Sequence, residues 1–242
     1  MKTIRKMIIA IILLMLIVVS SFGAYLLKMG YDTYQIDREK KPVAMMRTAI
    51  IEEVADYVEY EDISPAFINS IVAIEDHRFF QREGIDFVSL ARALYSTFIK
   101  KMPQGGSTIT QQLAKNYYYS FVLTLDQKMA EFFFLYEIEK TYSKKEIIEM
   151  YLNIIYYGDG YYGISQAANG YFDKEPSELD LFEGSLLAGV INAPSIYNLS
   201  TGKKLAIKRQ ISVINALYRN GYIDESTQSE LLALGEEYAA GE

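Results

Sequence analysis

Two carboxylates stand where their charge is hard to keep. Glu75 and Asp76 follow an apolar run in which Phe67, Ile68, Ile71, Val72 and Ile74 predict a helix over 66–74, opened by Ser64 as N-cap and by Pro65 in the first helical position. Apolar surroundings, a neighbouring acid and the negative end of a helix all disfavour an ionised carboxylate and raise its pKa. A carboxyl so placed is a better general base. The same pair also fits plain solvation at a helix end. Glu131 falls within a second predicted helix, 126–140, whose Phe132, Phe133, Phe134, Leu135 and Ile138 are too many for one narrow stripe. A charged group in such a helix needs either a salt-bridging partner or a chemical role.

Between the two acids lies a polar, glycine-led stretch, Gln104 to Asn116. Pro103, Gly105 and Gly106 break the preceding helix and let the backbone turn. Thr108 with Gln111 three residues on has the form of a capping box, which predicts a helix starting at Ile109 with unpaired N–H groups facing out of the loop. Such an end attracts anions, above all phosphate. Gln111 and Lys115, at i and i+4, place an amide and a cation on one face. A well-capped surface helix has the same spacing.

These residues sit in a chain of 242, long enough for one good-sized core. Half of it is hydrophobic and 23% charged. Without cysteine there is no disulfide framework and no thiolate metal site. The formal charge of −7 argues against nucleic acid as a partner. The single histidine, His77, excludes multi-histidine metal centres and disfavours a Ser-His-Asp triad.

Met7 to Leu27 carries no formal charge and follows Lys2, Arg5 and Lys6, which predicts a membrane-spanning helix with its basic side in the cytoplasm. The run is longer than a signal-peptide core of roughly 7–15 residues and lacks a small-x-small cleavage site. From Gly30 to about Met46 the polar, mixed-charge sequence suits a short connector, and the pattern of Thr48 to Tyr60 leaves extended and helical readings open. Phe87 to Lys101 repeats apolar residues at helical spacing beside Arg92, Lys100 and Lys101. Ser143 with Glu146 forms a second capping box for a helix through Asn153. A helix from Asp180–Glu183 through Val190 follows, and two amphipathic helices, 204–222 and 224–238, close the chain.

The string from Gln104 to Asn116 resembles the central motif of the peptidoglycan glycosyltransferases, the lysozyme-like family that polymerises lipid II. Glu75-Asp76-His77-Arg78-Phe79, with Gly84 and Asp86, resembles that family's Glu-Asp-x-x-Phe motif and its continuation. Tyr142 to Asn153, Tyr157-Gly158, Gly163, Ala167-Ala168, Tyr171-Phe172 and Asn192 to Asn198 are similar to further family motifs. Three positions depart from the pattern. Arg82 replaces a usual histidine, Gln127 an arginine in the family's Arg-Lys-x-x-Glu pattern, and Leu123 a further arginine. Neither glutamine nor leucine offers a permanent charge or a bidentate fork, which implies weaker phosphate recognition with more of it resting on Lys115 and Lys128.

The resemblance covers roughly residues 43–240. It implies a mainly α, lysozyme-like bilobal helical domain, with a head and a membrane-associated jaw, after one N-terminal transmembrane helix. The organisation it suggests is a cytoplasmic tail at 1–6, the membrane helix at 7–27, a connector at 28–46 and the glycosyltransferase domain at 47–242. No residues are present for the transpeptidase domain of bifunctional relatives, so a monofunctional enzyme is expected. Glu75 would be the base and Glu131 the second acid. Asp76, Phe79, Arg92, Gln104, Gly105, Gly106, Ser107, Thr108, Gln111, Lys115, Asn116 and Lys128 would bind substrate. The implied partners are lipid II, the growing lipid-linked glycan, membrane lipid and a separate transpeptidase with other wall-synthesis proteins. No cofactor is required by the sequence, and a divalent cation, Mg2+ or Mn2+, is compatible with it. A non-catalytic scaffold of wall synthesis and a two-carboxylate peptidoglycan hydrolase are the competing readings.

Overall fold

A computed structural model describes residues 2–82, 108–119 and 124–240. The architecture is helical; among the described residues the β structure is a single isolated bridge between Tyr156 and Tyr162. Helix α1, Lys2–Lys40, begins with side chains exposed on every side and includes a stretch of mean hydropathy 2.8, none of it buried. It is therefore a candidate membrane span.

The helix does not stop where the apolar run ends. The polar connector expected at 28–46 is instead helix to Lys40, because its polar residues have partners on α5, Leu125–Thr141. Thr33 donates to Asp126 at 3.0 Å, Tyr34 to Glu137 at 2.5 Å, and the Arg38 Nε lies 2.8 Å from both Glu137 oxygens. The crossing is closest at Gly30, where an added Cβ would sit 2.4 Å from the Met129 Cβ and 2.7 Å from its backbone carbon. Aromatic rings of Tyr31 and Tyr34 pack on Phe133 and Phe134 below that point.

The undecided stretch after Met46 becomes α2, Met46–Glu53, which buries Met46 and Ile50, followed by a 3-10 turn at Tyr60–Asp62. Glu149, almost wholly buried, collects Arg47, the Tyr57 hydroxyl and the Tyr60 N–H, so the carboxylate is balanced and anchors this lead-in. Helix α3, Pro65–Glu75, runs through the core and buries Phe67, Ile68, Ile71 and Val72. Pro65 opens it as expected, but Ser64 does not cap it. Its hydroxyl donates to the Leu179 carbonyl at 2.6 Å and ties the helix start to a distant loop.

Helix α4 is Ile109–Tyr118, and α6, Lys144–Ile154, starts at the predicted Ser143–Glu146 capping box. After α6 the chain turns through Gly158 and Gly163, both at positive φ, and enters α7, Ile164–Phe172. At Gly163 an added Cβ would lie 2.6 Å from the Asn153 carbonyl oxygen, so both space and φ require glycine. Helix α8, Leu181–Val190, opens on an Asp180–Glu183 capping box and packs so tightly on α3 that a Cβ at Gly184 would come 2.9 Å from the Phe67 Cα. The short α9, Pro194–Tyr197, leads to α10, Lys203–Arg219, and α11, Glu225–Ala240. Helix α10 lies against both α3 and α8.

Candidate active site

Glu75 is the last residue of α3 and is only partly exposed. One of its oxygens accepts from the Gln112 amide at 2.6 Å, and the Gln112 carbonyl accepts from the Tyr151 hydroxyl at 3.0 Å. Burial raises the Glu75 pKa above the ordinary carboxylate value. The Gln112 amide and the Arg209 charge oppose the rise, and Asp76 adds to it. Tyr151 is wholly buried and its phenol is pushed well above its usual range, so it serves as a fixed hydrogen-bond donor. The base is thus held through a chain of two donors that begins in the core.

Helix α4 starts at Ile109 as its capping box predicts. Thr108 Oγ1 accepts from the Gln111 N–H at 3.2 Å, and the Gln111 side chain accepts from the Thr108 N–H at 2.9 Å. This corrects the expectation that Gln111 presents an amide beside Lys115. The Gln111 side chain is folded back and buried, and the amide that reaches an acid belongs to Gln112. The signal was in the sequence: once Gln111 closes the box, the neighbouring glutamine is the one left to point elsewhere. The anion drawn to this helix end is the Asp76 carboxylate, 3.4 Å from the Ile109 N–H.

Asp76 is buried and bonded to Arg82 at 2.6 Å, and Phe79 is wholly buried with the Arg82 and Lys144 cations 5.4 and 4.8 Å from its ring centre. Both side chains therefore sit in the framework behind Glu75 rather than on an open wall. Asn116 is exposed, and its amide donates to the Gln112 backbone carbonyl at 2.9 Å.

Glu131 lies on α5 with no exposed surface. Lys128 donates to one of its oxygens at 2.5 Å; the other oxygen has no hydrogen-bond partner among the described residues. Burial raises its pKa, opposed by the charges of Lys128 and Lys115. The salt-bridging partner foreseen for a glutamate in this helix is present, yet half the carboxylate stays unsatisfied. A buried acceptor without a donor is costly and therefore marks a place where a ligand group can bind. Lys128 thus bonds Glu131 directly, while Lys115 on α4 acts on it through its charge alone.

Gln127, at the position of a family arginine, closes a capping box for α5 by accepting the Thr124 N–H at 3.0 Å. Arg82, at the position of a family histidine, bridges Asp76 and Glu139. Arg92, Gln104, Gly105, Gly106 and Ser107 lie outside the described residues, as do Leu123, Gly84, Asp86 and the amphipathic segment 87–101. Sequence reasoning passed over Gln112, Tyr151, Arg209, Glu139 and Lys144, whose roles depend on contacts distant in sequence. Among the described residues no three or more His, Cys, Asp or Glu side chains come together to hold a metal ion.

A helical domain that buries two glutamates, each with its pKa raised, and sets lysine charge beside the second is an arrangement suited to group transfer. The family model described as Transglycosylase matches residues 41–218. The chain is 38% identical over 183 residues to a monofunctional glycosyltransferase of Staphylococcus saprophyticus, covering 73% of this chain and 68% of that one. It is 35% identical over 190 residues to the corresponding protein of Staphylococcus epidermidis, covering 76% and 71%. Penicillin-binding protein 2a of Streptococcus pneumoniae is 36% identical over 198 residues, which cover 82% of this chain and 26% of that longer one. The chain belongs to the transglycosylase family.

Proposed function

We propose that the protein polymerises lipid II into linear β-1,4 glycan strands of peptidoglycan, by inverting, processive transfer with release of undecaprenyl pyrophosphate. The observation that carries this reading is the state of Glu75: a carboxylate whose basicity is raised by burial and whose orientation is fixed by Gln112. Glu75 takes the proton from the acceptor 4-hydroxyl as that oxygen attacks the anomeric carbon of the lipid-linked chain. The bond from that carbon to the pyrophosphate oxygen breaks, and the configuration inverts. Lys115 and Lys128 stabilise the negative charge that develops on the leaving group, where prepositioned cations act most strongly. Glu131 holds Lys128 in place for that task. Among the described residues Glu131 offers a divalent cation one unpartnered carboxylate oxygen, and no cluster of three acidic or histidine side chains stands around it.

The candidate span in α1 supports an anchored protein, and Lys2, Arg5 and Lys6 before it favour a cytoplasmic N-terminus with the catalytic domain outside. The reading is tested by incubating the full-length protein in detergent with labelled lipid II and the family's donor-site inhibitor, moenomycin. Glycan that moenomycin prevents supports it. Absence of glycan from folded, lipid-reconstituted protein directs attention to the scaffold, while release of soluble muropeptides from purified walls indicates the hydrolase.

A further inference from the structure

Immediately behind Glu75 lie four charged side chains that the transfer step does not use. Asp76, Arg82, Glu139 and Lys144 have side-chain exposures of 6%, 10%, 3% and 19%, two of each sign. The Arg82 guanidinium reaches Asp76 at 2.6 Å and Glu139 at 3.3 Å. Glu139 also accepts from Lys144 and, at 2.5 Å, from the Thr110 hydroxyl. Asp76 accepts from the Ile109 N–H. We propose that Glu139 is a positioning residue of the transfer site, the hub of a buried, charge-balanced quartet that fixes the end of α3, and so Glu75, against the start of α4.

Glu75 needs the Gln112 amide, and Gln112 is on α4, less than one turn beyond the two α4 groups that the quartet holds, the Ile109 N–H and the Thr110 hydroxyl. On the other side the quartet holds Asp76, the residue next to Glu75. Glu139 comes from α5 and Lys144 from the first turn of α6, so three helices and the segment after α3 meet at one carboxylate. Lys144 and Arg82 also bracket the Phe79 ring, which closes the cluster from the core side. A buried ion cluster is favourable only when its geometry is complete, so it tolerates few relative positions of these elements. Arginine spans from Asp76 to Glu139 with two separate nitrogens, which a single point charge does not.

This inference rests on the transfer reading above, and its test separates the two. In the full-length protein, Glu139→Gln leaves two cations facing one carboxylate. Polymerisation kcat is expected to fall about tenfold through misplacement of the base, with KM for the lipid-linked substrate within about twofold. Glu139→Gln with Lys144→Met restores the charge balance and is expected to recover the rate to within about threefold of wild type. Thr110→Val, which changes no charge, is expected to lower kcat by about threefold. Hydrogen exchange is the second readout and needs no activity. The amides of Asp76 and Ile109 exchange about tenfold faster in Glu139→Gln while those of α8 and α10 stay unchanged. A rise in KM alone, an unchanged rate and exchange pattern, no recovery in the double variant, or uniformly faster exchange throughout overturns the proposal. If wild type makes no glycan, the transfer reading fails and the exchange pattern still decides the positioning claim.

Discussion

Each acid of the site is held by a neighbouring side chain, Glu75 by Gln112 and Glu131 by Lys128. Gln112 stabilises the ionised form of Glu75 by donating to it, which lowers a pKa that burial has raised. Gln112→Leu removes that donor, so the Glu75 pKa rises further. The base is active only when deprotonated, and activity is lost as pH falls through this pKa. The acid limb of the kcat profile is therefore expected to move to higher pH in Gln112→Leu, with kcat at neutral pH down about tenfold. Glu131 makes a complementary prediction. Its folded pKa is raised, so the ionised group opposes folding once pH rises through that value, and stability is greatest at lower pH. Glu131→Gln keeps the shape and removes the buried charge, and Lys128, 30% exposed, can turn to water. Its Tm at neutral pH is expected to rise by roughly 2–4 °C while polymerisation falls, the usual exchange of stability for function. Gln127 poses the opposite exchange. Gln127→Arg breaks the capping bond to Thr124 and lowers stability by about 0.5–1 kcal/mol, while a guanidinium restored near the pyrophosphate lowers KM for lipid II several-fold.

At the scale of elements, much of the site's frame was legible because it is local. The capping boxes at Thr108–Gln111, Ser143–Glu146 and Asp180–Glu183 each need only residues three apart, and each starts its helix where the pattern places it. Ser64 has the form of a simple N-cap and does not act as one, since its hydroxyl goes to the Leu179 carbonyl, a partner far along the chain. Gln112 to Glu75 and Thr110 to Glu139 are likewise contacts between helices, invisible to spacing. The extension of α1 was missed because its polar residues suggest solvent, whereas Thr33, Tyr34 and Arg38 are satisfied by Asp126 and Glu137 on α5. This crossing matters for the site, because Gly30 touches the backbone of Met129 and Ala130, the two residues before Glu131. Gly30→Leu is expected to push α1 from α5 at a cost of about 1–3 kcal/mol and to lower polymerisation with it, measured by thermal unfolding and by glycan yield.

At the scale of the molecule, one helix serves two environments. The run from Met7 is apolar and at first unburied, and the last turns are part of the folded domain, with Leu26 and Gly30 covered by protein. A truncation starting at Tyr25 should retain a cooperative unfolding transition. One starting at Pro42 strips the cover from Phe133 and Phe134 and is expected to lower Tm sharply or aggregate, as seen by calorimetry and light scattering. The packing of this continuation on α5 ties the helix that carries Lys128 and Glu131 to the candidate span.

The central claim is that Glu75 is the base of a glycosyl transfer, and the most direct test compares polymerisation of labelled lipid II by wild type and by Glu75→Gln under identical detergent conditions. Glutamine keeps the size and can still meet Gln112, so folding should be preserved, as circular dichroism would verify. The account predicts glycan from wild type and a rate about 10²–10⁴-fold lower from the variant. A folded Glu75→Gln protein that polymerises near the wild-type rate would contradict it.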